Sequence, residues 1–338
     1  MSVEEGCEKA WRMVLSSPTM YREGFRKGET HSNTVNPAYV RRIFIAGVGG
    51  SGIVGDIISA IRDHNLPPPV ETLKTFRLPG YTGPDTLLIP VSYSGDTVET
   101  SWAFVDGFSK SVAVVGVSSG GRLTSLMEMR GLRVVKVSEG LQPRYAVPEM
   151  VGAVYGLLTG FEAFPREKFL QAVDELETYA KKFSENGLQQ MVEQARPMLG
   201  RHVVIVSADN LYSAAYRLKC QLNENAKHPC HVATAPEAFH NEVEGWTNLG
   251  NYCYVFLRSG YEQLMVSDGL DWMKEYLRSN GAAVIEIGVK SSSPVSELLK
   301  FLLIADLLSL GLACLKKVDP IMLHTIPKLR PILRRHLP

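Results

Sequence analysis

The stretch "RRIFIAGVGGSGIVGDIISA", residues 41–60, places four glycines between an apolar segment and a helix-like one: Gly47, Gly49, Gly50 and Gly52. Glycine adopts the positive φ angles of tight turns at little cost. Bare backbone N–H groups at the start of a helix also bind anions, most often phosphate. The stretch therefore predicts a strand, a glycine-rich turn suited to an anion, and a helix.

Short apolar segments alternate with helix-like segments on both sides of this stretch. Strands are predicted at residues 41–47, 85–94, 111–119, 132–139, 202–209, 252–259 and 282–288. Helices are predicted at residues 51–64, 97–108, 122–131, 148–161, 165–184, 210–228, 262–281 and 293–317. This alternation is typical of an α/β fold, in which helices cover both faces of a parallel sheet.

The pattern runs twice through the chain, and 338 residues are too many for one ordinary core. We expect an N-terminal domain at residues 1–160, a connecting helix within 161–184 and a C-terminal domain at 185–338. Each domain is predicted to be a flavodoxin-like three-layer sandwich. The glycine-rich turn belongs to the first domain alone, and its counterpart in the second is "SADN".

Charge and hydropathy exclude several partners. The formal net charge is +1 and no basic stripe precedes the C-terminal tail, so no nucleic-acid partner is expected. The tail itself is expected to be a solvated helix end. The apolar stretch 301–315 is shorter than the roughly 20 residues that span a bilayer and contains Asp306. We therefore expect a buried helix there and no membrane partner.

Cysteine usage predicts a reducing compartment. The five cysteines have no paired spacing; they are Cys7, Cys220, Cys230, Cys253 and Cys314. Neither a CxxC nor an HExxH motif occurs, so no metal is expected. Because the acidic N-terminus also lacks the apolar region of a signal peptide, a cytoplasmic protein is predicted.

The glycine-rich turn alone leaves its ligand open. Gly47, Gly49 and Gly52 approximate the G-x-G-x-x-G pattern of nicotinamide dinucleotide sites, but the last interval is one residue short. Such a site also needs an acid about 20 residues further on, and Glu71 follows three prolines. A packing turn without any ligand is a further alternative.

A second loop favours phosphate. "SYSGDTVET", residues 92–100, follows the next central strand and offers the hydroxyls of Ser92, Ser94 and Thr97. The carboxyl ends of parallel strands open at one edge of the sheet, so Ser51 should lie near these hydroxyls. Helix capping explains one hydroxyl per helix but not four around two turns. The two loops therefore predict a phosphate pocket.

"GVGGSG" together with "SYSGDTVET" resembles the sugar isomerase domain, which binds phosphosugars. A third stretch, "QLNENAKHPCHVATAPEAFHNEVEGW" at residues 221–246, resembles the bifunctional phosphoglucose/phosphomannose isomerases best known from archaea. The resemblance runs from about residue 41 to about residue 328. It implies two sugar isomerase domains, no cofactor, and phosphate binding by Gly49, Gly50, Ser51, Ser92, Ser94 and Thr97.

Isomerisation of an aldose phosphate requires ring opening and proton transfer from C2 to C1. One half-buried carboxylate with a raised pKa can act as both base and acid, and the resemblance assigns this role to Glu224. It assigns ring opening to His240, which the family supplies from the partner subunit of a homodimer. Arg144 would then stabilise the enediolate charge.

The family also has a catalytic lysine near its C-terminus. Aligning Ile326 and Leu329 on the family motif places Arg330 at that position, whereas Lys328 is the residue whose amine can exchange a proton. We expect Lys328 to take the role, with Arg330 as the alternative.

The expected function is interconversion of glucose 6-phosphate or mannose 6-phosphate with fructose 6-phosphate. A non-catalytic phosphosugar sensor, an amino-sugar phosphate isomerase and a dehydrogenase of the Rossmann type remain alternatives. Because His228 and His231 lie near His240 in the sequence, a zinc site also remains open.

Overall fold

The computed structural model of the chain describes residues 2–110 and 113–338. The helices in these ranges are α1 (Val3–Leu15), α2 (Ser17–Glu29), α3 (Gly49–Ile61), α4 (Val98–Ser109), α5 (Gly121–Glu128), α6 (Val147–Leu157), α7 (Arg166–Ala180), α8 (Gly187–Ala195), α9 (Tyr212–Glu224), α10 (Leu264–Ser279), α11 (Pro294–Leu315) and α12 (Ile326–Arg334). The strands are β1 (Arg42–Ala46), β2 (Val70–Leu73), β3 (Thr86–Pro90), β4 (Ala113–Ser118), β5 (Arg133–Lys136), β6 (His202–Ala208), β7 (Cys230–Ala235), β8 (Tyr252–Arg258) and β9 (Ala283–Gly288).

These residues form two compact units. The first unit combines Ser16–Val173 with Leu323–Pro338, and the second combines Asp174–Met322 with the residues up to Leu15. The division therefore falls inside α7, within the expected connecting segment. The sequence analysis assigned residues 1–15 to the N-terminal domain and residues 323–338 to the C-terminal domain. In the structure each of these end segments belongs to the other unit. Helix α1 packs on α11 of the second unit, and the C-terminal residues pack on the first unit.

The first unit is a three-layer α/β sandwich. Its parallel sheet has the order β2–β1–β3–β4–β5, which is the flavodoxin-like order. Phe44 and Leu88 face Phe104 and Leu123 of the helices α4 and α5. Because strand side chains alternate between faces, Ile43 lies on the opposite face, where α3 and α6 pack together. The predicted fold class is confirmed.

The second unit repeats this architecture with one strand fewer. Its parallel sheet has the order β7–β6–β8–β9, and α10 covers one face through Leu270, Met273 and Leu277. Helices α8, α9 and α11 form the other layer. In the most apolar 18-residue part of α11, 89% of the residues are buried. By length and composition this helix could cross a membrane, but its burial is that of a core helix, as expected for residues 301–315.

Two expectations need correction: that the cysteines are unpaired, and that the predicted strands are complete. Cys7 of α1 and Cys314 of α11 form a disulfide within the second unit, although 307 residues separate them. Spacing cannot reveal this pair because tertiary packing of α1 on α11 creates it. The strands β2 and β7 were also not expected, because their sequences VETL and CHVATA lack the adjacent large aliphatic residues that identified the other two edge strands, β5 and β9.

Candidate active site

The predicted phosphate loops lie side by side at the carboxyl edge of the first unit's sheet. Gly49 begins α3 with φ of +59°, a conformation that favours glycine. A Cβ on Gly50 would lie 2.9 Å from the carbonyl carbon of Pro143 and 3.0 Å from the nitrogen of Arg144. The glycine-rich turn therefore packs directly against the backbone at Arg144, one of the predicted catalytic residues.

Ser51 connects the first loop to the second. Its buried hydroxyl accepts a hydrogen bond from the backbone N–H of Tyr93 at 3.0 Å. The same hydroxyl lies 3.8 Å from the sulfur of Met150 on α6. Ser51 is thus close to the second loop, as predicted, and in this structure its oxygen holds that loop in place.

The other three hydroxyls differ in exposure. Ser92 is fully buried and donates to the hydroxyl oxygen of Thr97 at 2.8 Å. Thr97 is half-buried and precedes the first residue of α4. Ser94 is exposed and accepts from the backbone N–H of Asp96 at 3.3 Å. Ser94 and Thr97 are therefore the more accessible of the four residues, while Ser51 and Ser92 support the loops from within.

Tyr93 joins the phosphate loop to two other loops, and sequence reasoning missed this residue. Its backbone carbonyl accepts the hydroxyl of Ser119 at 2.6 Å. Its phenol donates to the carbonyl of Ser138 at 2.9 Å and accepts from the N–H of Leu141 at 2.8 Å. Burial raises the pKa of this phenol. A tyrosine between two hydroxyl residues was the available signal.

Arg144 is buried rather than a surface side chain. It retains 2% exposure, and its guanidinium carbon lies 4.8 Å from the centre of the Tyr145 ring. An arginine guanidinium is a permanent cation in proteins. The first unit therefore brings together the glycine-rich turn, the hydroxyl loop and a fixed cation.

Glu224 is the last residue of α9 in the second unit and is half-buried. Polar contacts between α9 and α11 fix the helix that carries it. Arg217 forms a two-bond ion pair with Asp306 at 2.8 and 2.9 Å, and Gln221 donates to the same carboxylate at 2.9 Å. Asn225 donates to Ser309 at 2.9 Å.

Lys227 caps the end of α9. It has φ of +50°, and its ammonium donates to the carbonyls of Glu224 at 2.8 Å and Asp319 at 2.9 Å. A cation that binds the last carbonyls stabilises a helix end. Lys227 thus fixes the helix terminus beside Glu224.

His240 ends a 3-10 helix, Glu237–His240, and is exposed. Phe239 anchors this helix by packing against Gly269 of α10. The exposure leaves the imidazole accessible to another molecule. Glu242, which follows soon after, binds the ring of His231 at 3.2 Å.

Lys328 and Arg330 lie on α12, in the first unit, and both are exposed. Within residues 2–110 and 113–338, no group of three or more His, Cys, Asp or Glu side chains is arranged to hold a metal ion. His228 binds the carbonyl of Arg201 at 3.0 Å, and burial together with Lys316 lowers the pKa of its imidazole.

Comparison with known proteins identifies relatives that match most of the chain. A sequence profile of the bacterial phospho-glucose isomerase C-terminal SIS domain matches residues 189–333. The bifunctional phosphoglucose/phosphomannose isomerase of Aquifex aeolicus is 30% identical over 87% of this chain and 91% of its own. The D-glucosamine-6-phosphate 4-epimerase of Sulfolobus acidocaldarius is 27% identical over 86% of this chain and 88% of its own.

Among solved structures, the C-terminal domain of glucosamine-fructose-6-phosphate aminotransferase from Francisella tularensis superimposes with a TM-score of 0.74. It covers 93% of this chain and 98% of its own at 10% identity, so the likeness concerns the fold alone. The sequence match to the Aquifex enzyme extends over nearly the whole length of both chains. The chain belongs to the family of bifunctional phosphoglucose/phosphomannose isomerases.

Proposed function

We propose that the protein is an aldose–ketose isomerase that interconverts glucose 6-phosphate and mannose 6-phosphate with fructose 6-phosphate. The observation that carries this proposal is the joining of the glycine-rich turn, the hydroxyl loop and buried Arg144 at one sheet edge. A dianionic phosphate suits backbone N–H groups, hydroxyls and a fixed cation. Family membership supplies the reaction class.

In the proposed mechanism the phosphate binds Gly49, Gly50, Ser51, Ser92, Ser94 and Thr97, with exposed Ser94 and half-buried Thr97 as the more accessible hydroxyl residues. The sugar ring opens to the free aldehyde with help from His240 and Lys328. The Glu224 carboxylate removes the proton from C2 while the carbonyl oxygen at C1 gains a proton, which gives an enediol. Glu224 then returns its proton to C1, and the hydroxyl at C2 loses one to become the ketone.

Arg144 would stabilise the negative charge that develops on the enediol oxygens. A preorganised cation contributes most at the transition state because it needs no rearrangement there. No metal or cofactor takes part in this scheme. We also propose a cytoplasmic homodimer in which His240 acts in the site of the partner subunit, and a role in glycolysis or gluconeogenesis.

One experiment tests the proposal directly. Purified protein is incubated with fructose 6-phosphate, and glucose 6-phosphate and mannose 6-phosphate are each detected by their own coupled assay. We expect both products from the wild type, and formation of each about 10²–10⁴-fold slower from Glu224→Gln at the same enzyme concentration. Binding of fructose 6-phosphate without turnover by the wild type would instead support a sensor.

The Sulfolobus relative favours a second candidate, an amino-sugar phosphate as substrate. The same preparation is therefore incubated with glucosamine 6-phosphate and followed by proton NMR. A new epimer with no ketose from glucose 6-phosphate would favour this candidate over the first.

A further inference from the structure

The C-terminal residues contact the first unit beside the hydroxyl loop. The guanidinium of Arg334, the last residue of α12, forms an ion pair with the Asp96 carboxylate at 3.0 Å. The indole N–H of Trp102 donates to the carbonyl of His336 at 2.6 Å. Asp96 lies between Ser94 and Thr97, and Trp102 belongs to the helix that this loop begins. Both anchors are therefore attached to the proposed phosphate site.

Within residues 2–110 and 113–338, α12 is held by few other contacts. None of its side chains is buried, and Leu329 and Ile332 keep about half of their surface exposed, at 51% and 52%. Segments with few buried apolar contacts open locally at a small free-energy cost. The docking of α12 therefore depends strongly on its two polar anchors.

The ion pair also changes the charge of the loop. Asp96 is the carboxylate within residues 92–97, and its second oxygen accepts from the N–H of Arg122 at 3.1 Å. Its negative charge would repel a bound phosphate dianion. Arg334 balances that charge.

Helix geometry indicates which side chain shares the face of Arg334. Arg330 precedes it by four residues and so lies on the same face of α12. Lys328 precedes it by six residues and points about 120° away. The ion pair would thus hold the face that carries Arg330 toward the loop.

We propose that Arg334 is a positioning residue for phosphosugar binding: paired with Asp96, it fastens α12 to the hydroxyl loop and balances the loop's carboxylate. This inference rests on the proposed function, because the phosphosugar is the ligand whose binding it assists. Arg334 does not touch the reacting atoms. The side chains of Arg334 and Asp96 are 48% and 32% exposed, and exposed pairs contribute little to stability. Its loss should therefore appear in substrate binding and hardly in thermal unfolding.

Kinetics of Arg334→Gln test this role, with Arg335→Gln as the matched control. Arg335 is the next residue of the chain, is exposed, and has no ion pair within the described ranges. We expect Arg334→Gln to raise KM for fructose 6-phosphate roughly five-fold at low salt, as for one charge near a dianion in water. The value of kcat should stay within about two-fold, and higher ionic strength should reduce the difference. Arg335→Gln should leave KM unchanged, and Arg334→Lys should recover most of the loss.

A second substitution separates charge balance from direct contact with the substrate. Asp96→Asn removes the repelling charge yet keeps an oxygen for the N–H of Arg122. In the Arg334→Gln background it should return KM toward the wild-type value. An unchanged KM in Arg334→Gln, or no recovery in the double variant, would overturn the proposal.

Proteolysis tests the docking without any activity. Trypsin can cleave after Lys328, whereas Pro331 protects the bond after Arg330. We expect Asp96→Asn to be cut after Lys328 several-fold faster than the wild type and Arg335→Gln to be cut at the wild-type rate. Equal rates for Asp96→Asn and wild type would contradict the docking. If the wild type is active and the cleavage rates are equal, the docking proposal is rejected and the proposed function stands. If the wild type is inactive on every phosphosugar, the proposed function is rejected.

Discussion

The hydroxyl of Ser51, at the start of α3, accepts the backbone N–H of Tyr93 at 3.0 Å, across two strand-to-helix loops that are 42 residues apart in the chain. The four hydroxyl residues predicted to bind phosphate differ in burial. All four hydroxyls bond within the protein, but Ser51 and Ser92 are buried, whereas Ser94 is exposed and Thr97 is half-buried. We therefore expect Ser94 and Thr97 to contact a ligand and Ser51 and Ser92 to support the loops.

Ser94→Ala combined with Thr97→Ala should weaken phosphosugar binding most. Each lost hydrogen bond to a charged group costs roughly 1.5–3 kcal/mol, so the Kd of a phosphosugar inhibitor should rise at least about ten-fold per hydroxyl. Calorimetric titration measures this change. Ser109→Ala, at the far end of α4, serves as the control, and an unchanged Kd in the double variant would place the phosphate elsewhere.

Ser51→Ala should instead affect stability as well as binding. It removes the acceptor of a buried N–H, and an unsatisfied buried donor costs about 1–3 kcal/mol. Urea unfolding of Ser51→Ala and Ser94→Ala measures the difference. Equal stability of the two variants would mean that the Tyr93 N–H finds another acceptor.

Glu224→Gln should lower kcat by about 10²–10⁴-fold, the usual contribution of a positioned acid–base group. The amide keeps the size of the side chain but cannot carry a proton, so KM should change little. Glu244→Gln, an exposed residue outside the helix α9, is the control. Wild-type turnover in Glu224→Gln would assign the proton transfer to another group.

Subunit mixing tests whether sites are shared. Glu224→Gln and His240→Ala, each nearly inactive alone, are mixed and allowed to exchange subunits. In a shared-site dimer each mixed pair has one site that carries both substitutions and one intact site. Recovery should approach about a quarter of wild-type activity for random exchange. If mass-tagged subunits exchange and no activity returns, each site is built within one chain.

The sequence predicts the central strands well because their side chains are buried on both faces. β1, β3 and β6 are continuous apolar runs, and such runs identify strands of a covered parallel sheet. The edge strands β2 and β7 lack adjacent large aliphatic residues, so their composition resembles that of loops. The edge strands β5 and β9 carry such residues and were predicted.

The candidate site also has features that the sequence predicts and features that it does not. The hydroxyls and glycines can be read from local motifs, since one loop supplies several of them. The bonds made by Tyr93 and the Arg334–Asp96 pair, which spans 238 residues, depend on tertiary packing and leave no local pattern. The burial of Arg144 also depends on neighbours distant in sequence.

Thiol counting should detect the Cys7–Cys314 disulfide. Under denaturing conditions without reductant, three thiols should react, which correspond to Cys220, Cys230 and Cys253. Because the bridge closes a very long loop, its removal by Cys7→Ser should cost up to about 6 kcal/mol by the chain-entropy estimate. Five reactive thiols before reduction would show that the pair is not oxidised in the purified protein.

Glu175 should make the second unit sensitive to acid. Its carboxylate on α7 accepts hydrogen bonds from Lys300, from Ser296 at 2.6 Å and from Ser292 at 2.7 Å, at the start of α11. Burial raises the pKa of this carboxyl, but the three hydrogen bonds outweigh burial and lower the pKa from 4.5 to about 2. The folded state therefore favours the charged form.

A lowered pKa in the folded state gives stability that is complete above the unfolded value and is lost as pH falls toward the folded value. For Glu175 this window runs from about pH 4.5 down to about pH 2. At pH 7, Glu175→Gln should cost about 2–3 kcal/mol, since it also leaves Lys300 buried without its partner. The difference in unfolding free energy between variant and wild type should shrink as urea unfolding is repeated at pH 5, 4 and 3.

Glu167→Gln, on the same helix with 74% of its side chain exposed, is the control and should change stability by less than about 0.5 kcal/mol. A difference for Glu175→Gln that stays constant between pH 7 and 3 would mean that its charge does not stabilise the fold.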